Sequence, residues 1–186
     1  MVTIHLLEAI GANEGSTMQV LDTSALLSWP VGKLTGCVCA TSQVNELENL
    51  DKNRSMLIET VSIVWKSPSK EGMQLAKTTS QACGDLPRLS DVDLDILAVC
   101  FDMKLSGDDF TLFTDDYRVQ NVARYAKFEV KSVNTKGVTS VWIWEAKCIG
   151  CRATSKLTKE PRRGRKGSVM DCEICGSEMK LKKKRG

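Results

Sequence analysis

Two sets of side chains in this sequence have the types and spacing to do chemistry. Cys148-x-x-Cys151 and Cys172-x-x-Cys175 stand with 20 residues between the pairs. Each Cys-x-x-Cys turn presents two thiolates to one ion, and two such turns complete a tetrahedral Cys₄ zinc site. Gly150 and Gly176 supply the backbone freedom that these turns need. No fifth ligand or open position is visible, so this zinc is read as structural. The second set is acidic: Asp22, Glu46, Asp93 and Asp115, with Asp116 beside the last. Converging carboxylates raise one another's pKa, and a fold keeps such a group only with a compensating cation. With no His or Cys among them, hard oxygen ligands select Mg²⁺ or Mn²⁺. A site of that kind holds a phosphodiester, lowers the pKa of a bound water and stabilises the leaving oxygen.

The elements that must bring the acids together follow from periodicity and caps. Gln19-Val20-Leu21 is a short apolar strand that ends on Asp22 and turns at once into a helix, where Thr23 and Ser24 are expected to accept the first free N–H groups. Open α/β folds place ligands at such strand ends. Cys37 to Ala40 reads as a second buried strand, and Ser42 caps a helix carrying Val44, Glu46, Leu47 and Leu50. Thr60 to Trp65 is strongly β-prone. Ser67-Pro68 opens a helix that Gly84 closes. Ser90 with Asp93 forms a capping box ahead of a stripe of Leu94, Leu97, Ala98, Phe101 and Leu105. Phe110 to Thr114 is then a strand ending on Asp115-Asp116, followed by a helix through Val119, Val122 and Ala123. Phe128 to Val130 and Val138 to Trp144 complete the strands. This alternation predicts a mostly parallel sheet flanked by helices on both faces, over 18–140, with a small zinc ribbon over 141–180 and a basic tail over 181–186. Asp22 and Asp115 are expected side by side at neighbouring strand ends, with Glu46 and Asp93 aimed at the same rim.

Composition narrows the function. The hydrophobic content of 42% and charged content of 26% are globular. No run approaches the ~20 apolar residues that span a bilayer, and Glu8 and Glu14 argue against a signal peptide. Four scattered cysteines (Cys37, Cys39, Cys83, Cys100) fit a reducing, cytoplasmic setting. The lone histidine, His5, lies in a stretch (1–17) without periodicity, which removes Ser-His-Asp and paired-histidine mechanisms. The net charge of +3 is divided: residues 1–145 carry −6 and residues 146–186 carry +9. Bound zinc lowers the second figure to about +7, which still attracts a polyanion. The candidates for RNA contact are Arg162, Arg163, Arg165 and Lys166 between the cysteine pairs, and Lys182, Lys183, Lys184 and Arg185 after them.

Taken together, Val20 to Leu26, Val44-Asn45-Glu46-Leu47, Leu89-Ser90-x-x-Asp93 and Thr114-Asp115-Asp116 with Tyr117 resemble the acidic signature of PIN-domain nucleases. A PIN domain followed by this ribbon resembles the Nin-one-binding endonucleases, in a compact length similar to the archaeal members. The resemblance covers Met18 to Lys180; residues 1–17 depart from it, since family members usually begin about at Met18. It implies a PIN-like fold, metal-binding acids at Asp22, Glu46, Asp93 and Asp115, with Asp116 a further candidate, and hydrolysis of single-stranded precursor small-subunit rRNA at its 3′ end within the pre-ribosomal particle. Two other readings compete: a toxin-type PIN ribonuclease acting on tRNA or mRNA, and a non-catalytic RNA-binding assembly factor.

Overall fold

The computed structural model describes residues 17–134, 137, 140–157 and 169–184. Five short strands form one parallel sheet: β1 (Met18–Leu21), β2 (Val38–Ala40), β3 (Val64–Lys66), β4 (Phe110–Phe113) and β5 (Glu129–Lys131), in the order β3-β2-β1-β4-β5. Helices α1 (Thr23–Ser28), α2 (Gln43–Leu50), α3 (Lys52–Glu59), α4 (Lys70–Cys83), α5 (Asp91–Leu105) and α6 (Tyr117–Tyr125) provide the crossovers. Side chains alternate across the strands, so each face gets its own core. Val20, Val38, Ala40 and Leu112 pack with α4, α5 and α6 on one face. Leu21, Cys37 and Cys39 pack with Ala25, Leu26, Leu47 and Ile58 of α1, α2 and α3 on the other. The predicted mostly parallel α/β architecture is the one observed.

Two local expectations are corrected, and one helix was not foreseen. Thr60 to Ser62 is not strand; Thr60 caps α3, and β3 starts only at Val64. Helix α3 itself carries little periodicity, since it buries only Ser55 and Ile58, and it is held instead by the Asp51 cap and by Arg54, which donates to the carbonyls of Leu26 and Trp29. The stripe of α5 does not reach Leu105, which is 55% exposed; Ile96, Val99, Cys100 and Met103 are buried instead, because α4 covers the outer side of the helix.

Past residue 140 the predicted strand begins only at Trp144 and belongs to a second sheet. Here β6 (Trp144–Cys148), β7 (Thr154–Ser155), β8 (Met170–Asp171) and β9 (Glu178–Lys183) pair antiparallel in the order β7-β6-β9-β8. Its fully buried residues are few: Ala146, Cys148, Leu157, Cys172 and Met179. So small a core needs a staple. Residues 1–16 and the predicted RNA contacts Arg162, Arg163, Arg165, Lys166 and Arg185 lie outside the described residues. No helix among the described residues is long and apolar enough to cross a membrane.

Gly84 joins the two units. It ends α4 in the left-handed region at φ +83, and a Cβ there would fall on the backbone carbonyl of Trp144. Gly84→Ala therefore combines backbone strain with overpacking and is expected to lower stability by about 2 kcal/mol or more, measured as a drop in the urea midpoint.

Candidate metal and nuclease site

The rim of the parallel sheet is set by register. Leu21 pairs with Phe113, so Asp22 leaves β1 level with Thr114, not with Asp115 as expected from sequence. One step along a strand turns a side chain to the other side. The carboxylate of Asp115 accordingly turns toward the chain after β5, where it accepts from the backbone N–H groups of Val133 (2.9 Å) and Asn134 (3.0 Å). Asp116, one residue on, returns to the Asp22 side.

Asp22 is only 7% exposed. Its Oδ1 accepts from Thr23 N at 2.6 Å, and its Oδ2 accepts from the hydroxyls of Thr114 at 2.5 Å and Ser24 at 3.3 Å. Asp22 is thus itself the cap of α1; of Thr23 and Ser24, predicted to cap it, Ser24 turns its hydroxyl to Asp22 and Thr23 to another acid. Thr23 Oγ1 donates to Glu46 Oε2 at 2.5 Å. Gln43, fully buried, donates to Leu21 O (3.1 Å) and Thr23 Oγ1 (3.2 Å) and accepts from Ala40 N (2.7 Å). This one amide pins the start of α2 to the ends of β1 and β2. Thr114 is fully buried and also accepts from Asp116 N at 3.0 Å, so a single hydroxyl bridges Asp22 to the turn that carries Asp116. Sequence reasoning missed Gln43 and the role of Thr114; the Thr before the acid pair was the visible signal for the second, and nothing marked the first.

Asp93 is positioned by the capping box as predicted. Ser90 N donates to Asp93 Oδ2 at 2.8 Å, and Asp93 N to Ser90 Oγ at 3.0 Å, which leaves the other carboxylate oxygen of Asp93 outside the box. Asp116 caps α6 through Arg118 N at 2.6 Å. Burial pushes the Asp22 carboxyl up to about 6, against the pull of its bonds from Thr114 and Thr23, with repulsion from Asp93 and Asp116 adding to the rise. Burial also raises Asp93, reinforced by Asp116 and Glu46. Asp22 thus feels Asp93 and Asp116, and Asp93 feels Asp116 and Glu46. The ion pairs among the described residues, Arg88 with Asp85 and Lys131 with Glu129, involve none of the four. An all-oxygen set with a buried, repelled carboxylate fits a hard divalent cation. The acids are not drawn tight: the compact ligand cluster among the described residues, within 4.8 Å throughout, is the cysteine set.

In that set Cys148 Sγ lies 3.4 Å from Cys175 Sγ, and Cys151 Sγ lies 3.5 Å from Cys172 Sγ. These spacings are too long for a disulfide at about 2.05 Å and close to the ~3.8 Å edge of a tetrahedron with Zn–S bonds of about 2.3 Å. Gly176 takes φ +71 and closes its turn on Cys172 O at 2.8 Å. Hydrogen bonding from Ser177 lowers the Cys175 thiol to about 6, and backbone N–H groups led by that of Cys175 lower Cys172. The thiolate is favoured at Cys172 and Cys175, whereas, against the pull of a backbone hydrogen bond from Ala153, hydrogen bonds shared with Cys172 and Cys175 push the Cys151 thiol up to about 12; metal binding requires all four as thiolates. Beside the cysteines, Lys147, Arg152, Lys180, Lys182, Lys183 and Lys184 line one basic groove.

Folding raises the Asp22 pKa from 3.8 to about 6, so the ionised form is disfavoured in the fold. Without metal, that destabilisation is absent below about pH 4, grows between pH 4 and 6, and is complete above, where it amounts to about 3 kcal/mol. In zinc-loaded protein at pH 7.5 without added Mg²⁺ or Mn²⁺, Asp22→Asn is expected to melt higher than the parent protein, with the gap closing as pH falls toward 4. Adding Mn²⁺ is expected to raise the melting temperature of the parent protein alone.

Comparison with known proteins agrees with this fold. A family model described as the PIN domain of ribonuclease matches residues 19–103. Endoribonuclease Nob1 of Methanothermobacter thermautotrophicus is 28% identical over 172 residues, 90% of this chain and 94% of that protein. Endoribonuclease Nob1 of Pyrococcus abyssi is 32% identical over 135 residues, covering 70% and 75%. Ribonuclease VapC1 of Thermoplasma acidophilum is 32% identical over 162 residues, covering 87% and 76%. The chain belongs to the PIN-domain endoribonucleases, in the Nob1-type form in which a four-cysteine ribbon follows the nuclease domain.

Proposed function

We propose that this endoribonuclease uses Mg²⁺ or Mn²⁺ to cut precursor small-subunit rRNA at its 3′ end, on the pre-ribosomal particle in the cytoplasm. The observation that supports the mechanism most is the buried Asp22 at the end of β1, repelled by Asp93 of α5 and by Asp116 after β4, with Asp93 in turn repelled by Glu46 of α2. These four would hold the cation, with Asp116 in the position first expected of Asp115. When bound, the ion supplies a water of lowered pKa and charge stabilisation for the leaving oxygen. Thr114 holds Asp22 in one orientation, and Thr23 holds Glu46. Asp115 braces the chain at Val133 and Asn134. Hydrolysis breaks the P–O3′ bond: the water oxygen stays on the phosphate of the released piece, and a proton completes the 3′-hydroxyl of the mature RNA. Zinc in the Cys₄ site keeps the ribbon folded, and the ribbon's lysines hold the RNA backbone.

The relative named ribonuclease VapC1 gives the toxin-type reading some support. The similarity to it extends over 162 of 186 residues, past the nuclease domain, so its extent does not separate the two readings. Substrate choice does. Incubation with Mn²⁺ is expected to cut a precursor rRNA 3′-end fragment once, leaving tRNA and mRNA intact; EDTA or Asp22→Asn is expected to abolish cutting. Preferential cleavage of tRNA or mRNA would favour the toxin-type reading, and no cleavage of any RNA would favour an assembly factor.

Replacing Lys182, Lys183 and Lys184 together by Gln is expected to weaken RNA binding and to reduce the slope of log K against log salt by about 2, at about 0.7 per phosphate contact on a single strand. Titrations across a range of salt check this.

A further inference from the structure

Where the chain passes from the nuclease domain to the ribbon it borders a cavity of 360 Å³ that the acids do not use, whose lining includes Asp85, Arg88, Tyr117, Asn121, Trp142 and Trp144. The backbone there is fastened mainly by Asn121, and the Trp142 indole adds one local bond, Nε1 donating to Ser140 Oγ at 2.8 Å. Trp142 N donates to Asn121 Oδ1 at 2.7 Å, and Asn121 Nδ2 donates to Trp142 O at 2.7 Å and to Asp85 Oδ2 at 2.6 Å. Asp85, fully buried, in turn holds Arg88 at 3.2 Å.

The rings are left partly open. Trp142 is 42% exposed and Tyr117 54%. Had Trp142 served only to dock the linker, its large apolar ring is the part that burial would favour. Instead Trp142 and Trp144 stand 5.9 Å apart at 60°, with Lys183 Nζ 4.2 Å from the first ring and the Arg88 guanidinium 4.7 Å from the second. Arg88 Nε is buried with no hydrogen-bond partner. Aromatic faces interleaved with cations are what unpaired nucleobases and their phosphates bind.

The cavity also adjoins the acids. Tyr117 directly follows Asp116, Arg88 stands two residues before the Ser90 cap of Asp93, and Arg118 Nη1 donates to Arg88 O at 3.0 Å, tying the two sides together. We propose that this cavity is a base-stacking subsite, which holds one unpaired nucleotide of the RNA next to the phosphate that is cut. The inference rests on the endoribonuclease reading and deepens it. Both units contribute rings, so the seating of the ribbon selects which nucleotide lies over the acids.

The test is equilibrium binding of the full zinc-loaded chain, with no chelator and no added Mg²⁺ or Mn²⁺, to a labelled single-stranded RNA, to the same RNA as a duplex, and to a set carrying one abasic position each. Trp142→Ala and Tyr117→Ala are expected to weaken single-strand binding about ten-fold each, within the range for one stacked base. Trp142→Phe and Tyr117→Phe should restore most of it, and duplex binding and the salt slope should stay unchanged. One abasic position should weaken the parent protein and leave Trp142→Ala no weaker still. Urea midpoints and zinc content of each variant show that it is folded. Folded alanine variants that bind as the parent does, or an abasic set with no sensitive position, would overturn the subsite while Mn²⁺-dependent cutting by the parent left the nuclease reading standing. A parent protein that neither binds nor cuts single-stranded RNA would overturn both.

Discussion

A carboxylate that the fold buries among other acids is the constraint to which the rest of this molecule answers. Asp22 ends β1 at a point where the chain gives it hydroxyls and an N–H but no cation. Hydrogen bonds of this kind hold an anion in one orientation, and they offset only part of its desolvation. Removing the charge would make the fold more stable, which is the usual mark of a site kept for chemistry rather than for structure. Gln43, Thr23 and Thr114 share one purpose in this light: each is a buried or half-buried polar group spent on aiming an acid.

The ribbon solves the opposite problem. Its charge is basic and its core is a handful of residues, so the thiolate cluster takes the place of the missing apolar area. Physical separation of the two fields matters for function. An acidic rim repels RNA except where a cation sits, whereas the β6–β9 groove attracts it. Gly84 and Asn121 keep the two units in contact, with Trp144 laid against the end of α4 and Trp142 held by its backbone.

What could be read from the chain divides along physical lines. Cys148, Cys151, Cys172 and Cys175 were legible because ligand spacing is set by a covalently defined turn and owes nothing to distant packing. The strand-acid-helix turn at Asp22 and the Ser90–Asp93 box were legible because capping is local. Which way Asp115 and Asp116 turn was not, because it depends on the pairing of Leu21 with Phe113, and a shift of one residue reverses the side chain. Helix α3 escaped notice because its stability comes from the Asp51 cap and the grip of Arg54 on α1 rather than from an apolar stripe. The strand expected over Val138 to Trp144 straddled the predicted domain boundary because β-propensity says that a strand forms, not which sheet it joins. Gln43 carried no local signal at all.

The central claim, that Asp22, Glu46, Asp93 and Asp116 together hold one divalent centre, is tested most directly by anomalous diffraction from Mn²⁺-soaked crystals. The account predicts a manganese peak among these four carboxylates, bound directly or through water, with Asp115 still turned to Asn134. A peak absent from that rim, or one held by Asp115 while Asp116 points away, would contradict it.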